Sequence, residues 1–201
     1  MAENKAYGLA DLSFTPFKMK CANGVDEVSF RVWGGMLRLE VRNTKSQDFK
    51  PVFAKSINMQ LLTMLCAQIN RIKAASPETN LPMVLQRFNP EQKHWDTDWV
   101  ISFQKDNKMV YHLVIQTKGS KYDAVFKGPG GVAYGSEPMS DGDKSQIALA
   151  TLENYFKRDV PVQIAMTSKK REFNGNGGNS GGGAPANNNP PPAGTSGEDY
   201  F

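Results

Sequence analysis

Cysteine is scarce: Cys21 and Cys66 are the only two in 201 residues, and they form no close motif. A disulfide-stapled domain is therefore not expected, and a cytosolic chain with free thiols is. No apolar run reaches the roughly 18 residues that a membrane-spanning helix needs. The opening residues, MAENKAYGLADL, lack the apolar core of a signal peptide. Histidine is scarce too. His94 and His112 lie in different segments, and no Ser or Cys stands in a nucleophile motif, so no enzyme is expected. With Cys21 and Cys66 they show no metal-ligand spacing, and His112 within a strand pattern reads as structural. The Gly-rich stretch 128–135 lacks the G-K-[ST] ending of a phosphate cradle, so it reads as a hairpin tip, with Lys127 and Tyr134 offering nucleic-acid contact instead. Asp141-Gly142-Asp143 starts like a calcium loop, but the twelfth position is Leu152 where a Glu is required. No cofactor is expected.

Basic residues are absent from the end of the chain. Residues 172–201 hold Glu172, Glu198 and Asp199 and no Lys or Arg, which leaves the rest with 24 basic against 17 acidic residues. A body of charge +7 suggests a polyanionic partner. From Asn174 to Gly197 there is also no Val, Ile, Leu, Met or aromatic residue. Such a segment has nothing to bury against the entropy of ordering, so residues 172–201 are expected to be a disordered tail. It closes in Glu198-Asp199-Tyr200-Phe201, which reads as a tethered peptide ligand.

What is present is a repeated pattern. In Glu27–Arg42, EVSFRVWGGMLRLEVR, Val28, Phe30 and Val32 alternate with polar residues, as do Leu37, Leu39 and Val41 after Gly34-Gly35. Period-two alternation around Gly-Gly predicts a β-hairpin. One face is aliphatic; the other carries Arg31, Trp33, Arg38 and Arg42. An edge strand is expected over 12–20, where Pro16 cannot donate to a ladder, and a short fourth strand over 51–54. A helix follows with Ser56 as N-cap, Ile57, Leu61, Leu65, Ile69 and Ile72 as its stripe, and Ser76-Pro77 as its stop. The pattern then restarts: strands over 83–88, 99–104, 109–116 and 121–127, then a helix from Ser140 ending near Arg158, before Pro161. The expected organisation is a mobile 1–11, a body over 12–171 with sub-units of about 12–76 and 81–160, and the tail. The fold class is α+β, with duplicated antiparallel sheet-plus-helix units.

Basic and aromatic residues interleave along these strands. Cations can follow phosphates while aromatics stack unpaired bases, a sequence-tolerant way to hold single-stranded nucleic acid. The candidate contacts are Lys18, Lys20, Arg31, Trp33, Arg38, Arg42, Arg87, Phe88, Trp95, Lys105, Lys118, Lys121 and Lys127.

Two resemblances bear on this reading. The layout of basic body, Gly/Asn/Pro-rich spacer and Glu198-Asp-Tyr-Phe201 tip resembles the single-stranded DNA-binding proteins of bacteria and their phages. That implies a role in replication, recombination or repair, in a bacterial cytoplasm, with Glu198, Asp199, Tyr200 and Phe201 recruiting replication or repair proteins and competing with DNA. Gly35–Arg42, a polar connector and Ala54–Leu62 are similar to the core of the Whirly and positive-cofactor-four coactivator group. There, a sheet face binds single-stranded DNA, and two units in one chain would make a Whirly-like domain. The rival is an OB-fold barrel, since three strands, a helix and two strands also suit the order. The rival function is a transcription regulator that binds promoter DNA and touches RNA polymerase. No membrane is expected as a partner, and homo-oligomers fit either function.

Overall fold

The computed structural model describes residues 16–46, 50–128, 130, 133–134 and 136–175, with backbone only for 133–134 and 168–175. Four strands come first: β1 (Phe17–Lys20), β2 (Asp26–Trp33), β3 (Met36–Asn43) and β4 (Phe53–Ile57). They form an antiparallel sheet in chain order and lead into α1 (Met59–Ala74). The pattern recurs in β5 (Thr79–Asn89), β6 (His94–Lys105), β7 (Tyr111–Gln116) and β8 (Lys121–Val125), again an antiparallel sheet in chain order. A two-residue ladder, β9 (Ala133–Tyr134) with β10 (Glu137–Pro138), precedes α2 (Asp141–Asn154). The chain is α+β, with two four-stranded antiparallel sheets. Residues 1–15, which include the start of the expected edge strand, and the 176–201 part of the tail lie outside the described residues, whereas residues 172–175, expected in the disordered tail, end a helix.

The hairpin forms where the alternation places it. Gly34 and Gly35 both take positive φ, 59° and 78°, which a two-residue turn between Trp33 and Met36 demands. Val28, Phe30, Leu37, Leu39 and Val41 are then all buried on one face. In the second sheet Trp99, Ile101, Phe103, Leu113 and Ile115 do the same, and both faces share one core with Leu65, Ile69 and Ile72 of α1. The sheets are joined at their edges. Cys21, just beyond β1, bridges Ala124 within β8, and the Ala22 N–H donates to the Asp123 carbonyl at 2.7 Å. On the far side the Phe53 and Trp99 rings meet edge to face at 5.6 Å, and Lys55 reaches Asp98 at 2.6 Å.

Several boundaries differ from expectation: β5 and β6 run over 79–89 and 94–105 where 83–88 and 99–104 were expected, and β7 and β8 are shorter than expected. The fourth strand runs over 53–57 and not 51–54, because Ile57 opposite Leu37 completes its buried row. Ser56 is therefore a strand residue opposite Arg38, and Asn58 caps α1 by accepting from the Leu61 N–H at 2.8 Å. Pro161 does not stop the last helix. A π-helical turn at Tyr155–Asp159 intervenes, with the Val160 N–H bonded back to the Tyr155 carbonyl, and α3 continues over Val160–Gly175. Widening the helix by one residue just before Pro161 places the proline in a first turn, where its missing N–H costs little. Ser140 caps α2 as expected, accepting from the Asp143 N–H at 3.1 Å.

The π turn locks the helical layer to the first sheet. Phe156 meets Phe30 edge to face at 4.9 Å, and the Tyr155 hydroxyl donates to the Phe30 carbonyl at 3.1 Å, its phenol pushed up to about 12 by burial. Glu153, buried on α2, accepts from Lys157 on the same turn and from Lys73 of α1 at 2.8 Å. The Lys157 hydrogen bond, then that of Lys73, holds its carboxyl below the usual range. A depressed folded-state value means this contribution is complete above the unfolded value of about 4.3 and is lost as pH falls through the folded one. Glu153→Gln should therefore lower stability at pH 7 but remove part of the acid sensitivity. Urea unfolding at pH 7 and pH 3 checks this, and parallel losses in both proteins would contradict it.

Candidate nucleic-acid interface

Strand pairing decides which candidates share a surface. Paired residues in an antiparallel ladder point to the same side, and the buried row Val28, Phe30, Leu39, Val41 defines the inner side. The outer side of the first sheet therefore carries Lys18 and Lys20 of β1, Glu27, Ser29, Arg31 and Trp33 of β2, and Met36, Arg38, Glu40 and Arg42 of β3. Six candidates fall together: Lys18, Lys20, Arg31, Trp33, Arg38 and Arg42. Five cations stand against two carboxylates on this face, so it is net positive.

At the hairpin tip Trp33 is 56% exposed beside the exposed Met36. The Arg31 guanidinium lies over the Trp33 ring, 4.7 Å from its centroid. A cation on one face of an indole leaves the ring's remaining surface for a base. At the middle of the sheet Arg42 Nη2 donates to Glu40 Oε2 at 2.9 Å, and Arg31 Nε stands 3.4 Å from Glu40 Oε1. Arg38, directly opposite Arg31, has a buried Nε without a hydrogen-bond partner. Lys18 pairs with Glu27 at 3.0 Å, and Lys20 is exposed.

Arg87, Phe88 and Trp95 sit elsewhere. The β5–β6 hairpin runs past the second sheet: β7 joins β6 only from Val100 inward, so Gln86–Asn89 and His94–Thr97 form a two-stranded arm. A register break at Leu85/Gln86 marks its base. Phe88 and Trp95 pair across the arm, rings 5.5 Å apart and 47% and 60% exposed. His94 Nε2 and Asp96 Oδ1 are 2.6 Å apart, and hydrogen bonds from Asn89 and then His94 hold the Asp96 carboxyl low. Lys118 is exposed in the β7–β8 turn just after Gln116, which pairs with Val100, so it lies at the arm's base. Lys121 is exposed at the start of β8, and Lys127 is exposed just beyond its end.

Lys105 is not on any such face. It points into the core side, 4% exposed, with Nζ donating to the Ala75 carbonyl at 2.8 Å and lying 5.4 Å from the Tyr111 ring. Its position opposite Tyr111, in the buried register, is the reason. It closes the C-terminus of α1, where a cation suits the helix dipole. Lys105→Met should lower stability by about 1.5–3 kcal/mol, the range for a hydrogen bond made by a charged group, and leave any nucleic-acid binding unchanged. Paired unfolding and binding titrations test both halves.

Four residues of the face were not among the candidates: Glu27, Ser29, Met36 and Glu40. Met36 widens the apolar tip, and Glu40, 3% exposed, sits among the arginines. The alternation that placed Arg38 and Arg42 outward placed both of these outward as well. The Gly-rich loop has a packing role at one end: a Cβ on Gly128 would lie 2.1 Å from the Lys144 carbonyl oxygen. His112 Nδ1 contacts Asp123 Oδ1 at 2.8 Å, at a hollow of about 470 Å³ also lined by Glu78 and Asp106, whose acidity does not suit a phosphate. Among the described residues no cluster of three or more His, Cys, Asp or Glu could hold a metal ion, and no helix is long and apolar enough to cross a membrane. No protein-family model matches this chain, nor does any curated protein or solved structure.

Proposed function

We propose that this chain is a non-enzymatic, sequence-tolerant single-stranded DNA-binding protein acting in replication, recombination or repair, and that the outer face of the first sheet is its binding surface. The carrying observation is the gathering of Arg31, Arg38, Arg42, Lys18, Lys20 and exposed Trp33 on that one face. Phosphates follow the arginines, and a base stacks on Trp33. The exposed Phe88–Trp95 arm is a second stacking platform. Two sheets, each a four-stranded meander ahead of a helix, support a Whirly-like fold over an OB barrel, which would close five strands into one sheet. A bacterial or phage setting, and a cytoplasmic one, belong to the same proposal. Titration of the tryptophan fluorescence with oligo-dT at two salt concentrations tests it: quenching that weakens with salt is expected, and no binding at low salt overturns it. A preference for duplex over oligo-dT would instead favour a promoter-binding regulator.

The tip Glu198-Asp199-Tyr200-Phe201 lies outside the described residues, and we propose that it recruits replication or repair proteins. A random coil of about 25 residues spans roughly 25–30 Å, the reach the carboxylates would need to visit a cationic face. Deleting Glu198–Phe201 should tighten oligo-dT binding at low salt about two- to fivefold, with the gain shrinking as salt screens the pairing. Equal affinity of the truncated and full chains at low salt would remove the competition, though not the recruitment.

A further inference from the structure

Glu40 is out of place on a surface meant for phosphate. It lies in the middle of the outward row of β3, yet it is 3% exposed. Its partners come from two strands: Arg42 on β3 donates to Oε2 at 2.9 Å, and Arg31 on β2 stands 3.4 Å from Oε1. Arg31 in turn lies over Trp33. One carboxylate thus ties two guanidinium groups to the sheet and, through Arg31, borders the indole. The arginines are not saturated by it. Arg38 and Arg42 each keep a buried Nε without a hydrogen-bond partner, and the Arg31 and Arg42 side chains stay 28% and 33% exposed. Guanidinium groups that stay part-exposed on one small face can still donate to an anion with several oxygens.

We infer that Glu40 is a positioning residue for phosphodiester binding: it fixes Arg31 and Arg42 in the geometry that receives the backbone, so that this face loses affinity when its negative charge is removed. The inference rests on the single-strand reading of the same face. Its physical basis is preorganisation. A free arginine samples many rotamers and must lose them on binding, whereas one held by a bidentate-capable carboxylate has already lost them in the folded protein. Charge alone argues the opposite, since an acidic group in a cationic face repels phosphate. The two accounts therefore predict opposite signs.

The test measures oligo-dT affinity across a salt series for the wild-type protein, Glu40→Gln, Glu40→Asp, Arg42→Gln and the double variant Glu40→Gln/Arg42→Gln, with circular dichroism and melting to establish folding. Glu40→Gln is expected to bind about five- to tenfold more weakly despite the added net charge. Its salt slope should be shallower by about 0.7, the value for one phosphate that is no longer neutralised. Glu40→Asp keeps the charge but withdraws the carboxylate by one methylene, and should weaken binding in the same direction. If Glu40→Gln does not fold, Glu40→Asp carries the test. The double variant should bind more weakly than Arg42→Gln alone, since Arg31 still depends on Glu40, but by less than the two single losses combined, since the Arg42 part is already gone. A merely structural role would lower the melting temperature and leave the slope at its wild-type value, which overturns the inference. So does Glu40→Gln or Glu40→Asp binding as tightly as wild type or tighter, with the single-strand reading left intact. Absence of binding by the wild-type protein at low salt overturns both.

Discussion

Replacing Arg31, Arg38 and Arg42 together by glutamine should weaken oligo-dT binding roughly 10²–10³-fold at about 50 mM salt and reduce the salt slope by about 2. Each neutralised phosphate contributes about 0.7 to that slope for single strands, and the three side chains are the central cations of the face. Glutamine is the better replacement here. It leaves a donor near Glu40, whose buried carboxylate would otherwise be left without partners and cost stability by itself. The contrast variant is Arg87→Gln on the β5–β6 arm, where one exposed cation is removed and a drop of about tenfold or less is expected. Anisotropy of a labelled oligo-dT across a salt series gives both numbers. A triple variant that binds within threefold of wild type, with an unchanged slope, would move the site off the first sheet.

The sequence made this face legible because its signal is local. Two alternating runs around Gly34-Gly35 set the register, and register alone determines that Arg31, Trp33, Arg38 and Arg42 share a side. The first helix was legible for the same reason, since Leu65, Ile69 and Ile72 recur at helical spacing and are fully buried. What failed was whatever depends on a distant partner. Lys105 reads as one more strand-borne cation until the second sheet's register turns it inward onto the end of α1. Ser56 reads as an N-cap until Ile57 extends β4. Pro161 reads as a stop because nothing in its neighbourhood announces the π turn that admits it. Neither the bridge between Cys21 and Ala124 nor the Phe53–Trp99 contact, which together set the two sheets about one core, has a local signature.

Phe30→Ala should cost about 3–5 kcal/mol of folding stability, the range for emptying a buried aromatic site. The ring is fully buried on the inner side of the hairpin, directly behind the arginine-bearing outer face. It packs edge to face on Phe156 at 4.9 Å, an arrangement contributing roughly 0.5–1.5 kcal/mol beyond area. The cavity is hard to collapse, because Tyr155 is tethered by its hydroxyl to the Phe30 carbonyl and the π turn fixes both helical aromatics. Against a typical total of about 5–15 kcal/mol, such a loss would bring the chain close to unfolding at 37 °C. A urea midpoint that falls with an unchanged slope is the expected signature. Phe156→Ala should cost a similar amount, and the double variant should cost less than the two added, by about the pair's own coupling. Because Ser29 and Arg31, the neighbours of Phe30, point outward, the folded fraction of Phe30→Ala should still bind oligo-dT with near wild-type affinity at low temperature. A loss under about 1.5 kcal/mol would mean that the helical layer is not what closes the core behind the hairpin.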